Sequence, residues 1–244
     1  MIENLLSIMQ KRELSSKSIF PRALKHKSDI DYASHTVKML GLDSHHDNQK
    51  NWDTLLAYYY ILSNKGSSVT VLDAGSGAKP VILKWLRKSL PASNLYACDR
   101  EQKGLAAFEQ SKIKFSIQDM SSTDYPSDFF DFITSISVIE HGVDLKEFLR
   151  EMHRILKPGG ALLISTDYWE TPIDTSQKFP YLKEYGPMKI FNIDEVKLFI
   201  NNAKETGFEV VGESHSDLVS EDKAVRWDRM DEEYTFAFIP LRKP

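Results

Sequence analysis

The sequence predicts an α/β protein built on a doubly wound, mainly parallel sheet of seven strands. Three observations carry this. From about Leu72 to Pro240, short β-branched or aromatic runs alternate with longer amphipathic stretches, the pattern of helices covering a parallel sheet. The stretch VLDAGSGAKP, residues 71–80, reads as an apolar strand entering a glycine turn and then a helix. Acids then close three successive predicted strands, at Asp73, Asp99 and Asp119.

The elements follow in order. Residues 1–65 carry mixed charge, helix-like stretches at 32–40 and 52–63 and no strand signal, so a helical extension is expected ahead of a larger unit at 66–244. Strands are expected at 69–73, 94–98, 114–117, 130–135, 161–166, 208–213 and 234–240, each a short run rich in β-branched or aromatic residues. Helices are expected at 81–89, 102–109, 145–155 and 193–206, the last closed by Gly207, where a helix C-terminus favours glycine. Two insertions interrupt the alternation. Segment 167–191 (DYWETPIDTSQKFPYLKEYGPMKIF) is too long and too aromatic for a plain connection and reads as a lid. Segment 214–233 carries SEDKAVRWDRMDEE between the last two strands.

Composition narrows the function. The chain has 244 residues, 41% of them hydrophobic, enough for a substantial core. The formal net charge of -4 supplies no overall basic field, so a nucleic-acid partner is not expected. A single cysteine, Cys98, gives no intrachain disulfide and suits a reducing compartment. The N-terminal run MIENLLSIMQKRELSS is too short in apolar residues for a signal peptide, and no segment has the length of a membrane span. The expectation is a cytoplasmic protein without membrane attachment, either a monomer or a homodimer.

Gly75 and Gly77 let a ligand approach bare backbone, and the following helix offers free N–H groups. A dinucleotide turn would have a third glycine where Pro80 stands, and Asp73 would repel a pyrophosphate. A ligand with a cationic amino group and a carboxylate suits the turn better, and the methionine part of S-adenosylmethionine has both. Asp99 ends the next strand, LYACDR, where a carboxylate can hold ribose hydroxyls; Asp119 in IQDM can accept from an adenine amino group, with Met120 packing on the ring. Ser76 and Arg100 stand beside these acids and join the candidate set. Any one of these acids alone could be a turn residue or a helix cap. In this order, within one sheet pattern, they point to cofactor binding.

Through VLDAGSG, LYACDR, IQDM, FDFITSISVIEHGVD and LKPGGALLIST, the chain from Val69 onward resembles the class I S-adenosylmethionine-dependent methyltransferases. The resemblance implies a Rossmann-like methyltransferase sheet whose last strand is antiparallel and inserted beside the sixth. It also implies S-adenosylmethionine as cofactor, with S-adenosylhomocysteine as product, held by Asp73, Gly75, Gly77, Asp99, Asp119 and Met120. Ser135 and Ile136 match the family's fourth-strand residues along the cofactor, and Lys157-Pro158-Gly159-Gly160 matches the turn before its fifth strand. The N-terminal helices and the two insertions would then form the acceptor side. Ala78 departs from the family, many of whose members have glycine there.

The acceptor side has fewer signals. His141, in IEHG after the fourth predicted strand, is the candidate general base, since imidazole takes a proton near neutral pH. A packing role is its alternative. Asp167, Tyr168 and Trp169 follow the fifth strand at the rim, where Tyr168 and Trp169 could wall an acceptor, and Arg226 beside Trp227 could pair with an anionic one. His45-His46-Asp47 lacks a third histidine at ligand spacing and reads as a surface turn, so no metal is expected. The expected activity is methyl transfer to a small molecule or sugar unit, oxygen ahead of nitrogen. An NAD-linked oxidoreductase or epimerase, or a regulatory protein that binds the cofactor without turnover, are the rival readings.

Overall fold

The computed structural model describes residues 20–64, 68–101, 105–179, 186–212 and 217–244. The start of the helix expected at 102–109, the end of the strand expected at 208–213, and parts of the N-terminal extension and both insertions lie outside them. Among the described residues the helices are α1 (Lys27–Met39), α2 (Asn51–Asn64), α3 (Val81–Ser89), α4 (Leu105–Gln110), α5 (Leu145–Ile155) and α6 (Ile193–Thr206). The strands are β1 (Arg22–Ala23), β2 (Thr70–Ala74), β3 (Asn94–Asp99), β4 (Lys114–Ile117), β5 (Phe130–Ile136), β6 (Leu156–Tyr168), β7 (Glu209–Val210), β8 (Val225–Trp227) and β9 (Glu232–Arg242).

The sheet runs β1-β9-β6-β5-β2-β3-β4, with β7 and β8 also pairing β9. Strands β6, β5, β2, β3 and β4 run parallel to one another, and β9 is antiparallel to both β6 and β7. Among the described residues there are nine strands rather than the expected seven. The additional two are the short β1 and β8, which come from the N-terminal extension and the second insertion and add backbone partners to β9. Neither is long enough to show a period-2 pattern in the sequence. The first insertion also begins later than expected, because β6 runs on through Asp167 and Tyr168.

Alternation along the strands splits the core into two layers. On β6, Ala161 and Leu163 face one layer while Leu162 and Ile164 face the other. The first layer is closed by α2 and α3. Helix α2, NWDTLLAYYYILSN, is apolar nearly all round and therefore buried, with Tyr58, Tyr59 and Tyr60 all inside and Tyr60 edge-on to Phe132 at 6.3 Å between ring centroids. The second layer is closed by α5 and α6 through Phe148, Leu149, Met152, Ile155, Val196, Phe199 and Ala203. Helix α5 starts on Asp144, whose carboxylate accepts from Lys146 N and Glu147 N; α6 starts on Asn192 and stops at Gly207 in the left-handed region. A third cluster joins Leu24, Ile30, Met188, Ile190, Val225 and Phe236, tying the N-terminal segment to both insertions at one end of the sheet.

Candidate active site

The direction of chain progression reverses between β2 and β5, the point in an open α/β sheet where a crevice forms at the strands' carboxyl ends. There the backbone after β2 meets the backbone after β5. Gly75 has φ +78°, and a Cβ on it would stand 2.4 Å from Val138 Cγ1. The close approach and the positive φ both require glycine. Gly77 also has a positive φ, but a Cβ there would meet nothing within 4 Å. The turn is tied to β3: Gly75 N and Ser76 N donate to Cys98 O at 2.9 and 3.2 Å, and Gly77 N donates to Asp99 Oδ2 at 2.9 Å. Cys98 thus contributes its carbonyl, while burial pushes its thiol up to about 12.

A cleft of about 560 Å³ opens over this point. One side is lined by Gly75, Ser76, Gly77, Asp99, Arg100, Gln118, Met120 and Ile136. These fit S-adenosylmethionine. Asp99 is acceptor-only and receives one N–H at each oxygen, from Gly77 and from Glu101 at 3.1 Å, which leaves further lone pairs for a diol. Met120 supplies an apolar surface for a flat ring. Asp73 lies beneath the turn, 6% exposed, with Thr134 Oγ1 donating to Oδ1 at 2.7 Å; burial pushes its carboxyl up to about 6. Asp119 does not line the cleft as its neighbours Gln118 and Met120 do; Arg100 donates to its Oδ2 at 3.0 Å and Ser121 N to its Oδ1 at 2.8 Å.

The other side is lined by His45, His46, Asp47, Gln49, Lys50, Glu140, His141, Asp167, Arg226, Trp227 and Tyr234. Here several expectations need correction. His45-His46-Asp47 is a turn, with stacked rings and Asp47 N donating to His45 Nδ1 at 3.0 Å, but it walls the cleft rather than facing only solvent. Tyr168 is no acceptor wall: it is wholly buried and its hydroxyl donates to Leu218 O at 2.6 Å. Trp169 packs against the third cluster under Lys223 instead of lining the cleft. Ser135 is likewise buried under the sheet's end, while its neighbour Ile136 lines the cleft. Arg226 does reach the cleft, with its guanidinium bonded to Asp228, Asp231 and Glu233.

Lys50 was not foreseen. It closes a 3₁₀ turn, Asn48–Lys50, that Asp47 caps ahead of α2. Burial pushes its ammonium down, but Asp167, Asp53, Glu140 and Asp47 more than offset this and hold it above the ordinary lysine range. Burial lowers His141, with Asp167 opposing, so its imidazole is neutral near pH 7 and can accept a proton. A lysine directly before a helix that is apolar on every face was the one available signal for Lys50. Among the described residues no group of three or more acids, histidines or cysteines is placed to hold a metal, and no helix is long and apolar enough to cross a membrane.

A model of the methyltransferase domain family matches residues 44–213. The chain belongs to this family. Its sheet is that of the class I S-adenosylmethionine-dependent methyltransferases, and the matched span begins within the turn that carries His45 and Lys50. Phosphoethanolamine N-methyltransferase 3 of Arabidopsis thaliana is 33% identical over 107 residues, 43% of this chain and 21% of that protein. The matched stretch thus spans about a fifth of that relative's length. Among solved structures, phosphoethanolamine N-methyltransferase 2 of Haemonchus contortus, in complex with S-adenosyl-L-methionine, superposes with a TM-score of 0.59 at 15% identity, covering 98% of this chain and 60% of that one. The [4+2]-cyclase SpnF gives the same TM-score, 0.59, at 16% identity, covering 92% and 98%. A methyltransferase-family fold therefore does not by itself fix the reaction.

Proposed function

We propose that the chain transfers the methyl group of S-adenosylmethionine to a small-molecule acceptor seated on the His141 side of the cleft. The observation that carries this is the convergence at one switch point of the glycine turn, the Asp99 carboxylate and Met120 on one wall, with a proton-accepting imidazole on the other. Gly75, Gly77 and Asp99 hold the cofactor, Met120 and Gln118 bracket its base, and Asp73 supports the turn from below. When bound, the cofactor supplies an electrophilic methyl: the acceptor's lone pair forms the new bond while the sulfur–carbon bond breaks and its electron pair stays on sulfur.

The chain's own part is alignment and exclusion of water. Trp227 and Tyr234 narrow the acceptor side, and Glu140 and Asp167 give it a buried polar floor. The turn ahead of α2 and the second insertion, through Arg226 and Trp227, supply part of that side, which supports their reading as acceptor-facing; the first insertion's Trp169 packs away from the cleft. The acids of the floor and the N-methyltransferase relative favour nitrogen over the oxygen first expected.

Calorimetric titration with S-adenosylmethionine, S-adenosylhomocysteine and NAD tests the reading. Binding of the first two without NAD is expected. Binding of NAD alone would overturn it in favour of hydride chemistry, and cofactor binding without methylation of any amine or alcohol in a broad panel would favour a regulatory protein.

A further inference from the structure

The floor of the cleft beside His141 gathers more carboxyl groups than the chain's own cation there can pair. Four carboxylates, of Asp167, Asp53, Glu140 and Asp47, act on the single ammonium of Lys50. Two of them are occupied internally. Asp53 accepts from Ser165 Oγ at 2.8 Å and Thr54 N at 2.7 Å, and Asp47 accepts from Gln49 N at 3.1 Å.

Glu140 and Asp167 are different. Both line the cleft, yet they are only 1% and 2% exposed. Thr166 Oγ1 donates to Glu140 Oε2 at 3.2 Å, but Oε1 is buried and has no hydrogen-bond partner. An unbonded buried carboxylate oxygen is costly, and one whose residue borders a cavity is suited to receive a donor from what the cavity binds. Burial, with Lys50 opposing, pushes Glu140 up to about 7; burial and then Glu140's charge push Asp167 well up, with Lys50, His141 and a hydrogen bond from Tyr234 opposing. An added cation between them would relieve that repulsion. Trp227 and Tyr234 line the same space, and aromatic rings attract cations at their faces.

We propose that Glu140 and Asp167 form an ammonium-binding subsite that seats the protonated amine of the methyl acceptor, with Glu140 Oε1 accepting one of its N–H groups and the neighbouring His141 imidazole taking the proton that the nitrogen must lose. This rests on the reading of the chain as a methyltransferase. In the proton step the acceptor's N–H bond breaks, a new N–H bond forms on the His141 ring, and the electron pair remains on the acceptor nitrogen, free to attack. A hydroxyl acceptor brings no charge to the pair and is disfavoured at this position.

Benzylamine and benzyl alcohol share a shape and differ in charge at neutral pH, so their calorimetric titration into the purified chain, wild type, Glu140→Gln and Asp167→Asn, isolates the subsite. The wild type should bind the ammonium at least about tenfold more tightly than the alcohol, a preference that Glu140→Gln should cut to about twofold and Asp167→Asn should reduce. S-adenosylhomocysteine affinity should stay within about twofold in all three proteins, since neither acid is on the cofactor wall. Equal wild-type affinity for the two probes, no ammonium binding, or an unchanged preference in both variants would overturn the subsite. Failure of the wild type to bind S-adenosylhomocysteine would instead overturn the methyltransferase reading on which the subsite's role depends.

Discussion

Gly75 shows how little freedom a single position at the switch point has. Its φ of +78° disfavours any side chain, and its missing Cβ is the space that Val138 fills. Gly75→Ala should destabilise the fold by about 1–3 kcal/mol, read in a urea melt, and adding Val138→Ala should restore part of that loss by vacating the contact. Asp99 is tested through the ligand. Asp99→Ala removes the acceptor of Gly77 N and the proposed ribose contact together, so S-adenosylhomocysteine affinity should fall at least about tenfold with the fold intact by circular dichroism. Unchanged affinity would remove Asp99 from the cofactor site. His141→Ala should abolish turnover while leaving cofactor affinity near normal; normal turnover would make His141 a packing residue. The acids at strand ends were legible in the sequence because glycine turns and periodic apolar strands locate them. Glu140 and Lys50 were not legible as a pair, since they stand 90 positions apart and only tertiary packing brings them together.

At the scale of elements, the regular part of the fold was readable because each helix has its own stops. Asn192 and Gly207 bound α6, and Asp144 opens α5, each by side-chain or backbone chemistry that depends on local sequence alone. The insertions were not readable in the same way. Tyr168 and Trp169 looked like pocket aromatics, but a strand continuing two residues beyond its β-branched run turned Tyr168 into the core. That tyrosine's hydrogen bond to Leu218 O is one of the bonds that anchor the second insertion, beside those of Asp217 and Ser220 to the N-terminal segment. Tyr168→Phe should cost about 1–2 kcal/mol and raise amide hydrogen exchange selectively in residues 217–227. A uniform rise across the sheet would show instead that the bond supports the core as a whole.

Across the whole molecule, the buried acids couple protonation to stability. Burial raises Asp53 and Asp73 to about 6 and Glu140 to about 7, so the folded chain holds protons that the unfolded chain has released. A raised carboxyl contributes stability that is lost as pH rises from its unfolded value through its folded one. His45, lowered to about 4 by burial first, and His141, also lowered, act in the opposite sense below their ordinary range and are silent above it. Between pH 6.5 and 8 the acids therefore dominate. The melting temperature of the ligand-free protein should fall across that interval, and the fall should shrink in Glu140→Gln; a flat or rising profile would contradict the burial of these acids. The sheet also has an order of assembly written into it. Strand β9 holds β1, β6, β7 and β8, yet it is made after all four of them. Until residue 242 has left the ribosome, β6 presents an open edge and the N-terminal segment has no partner strand, a state prone to edge-to-edge association. A chain ending before residue 232 should therefore be recovered as aggregate, and the nascent protein should need sheltering until residues 232–242 emerge.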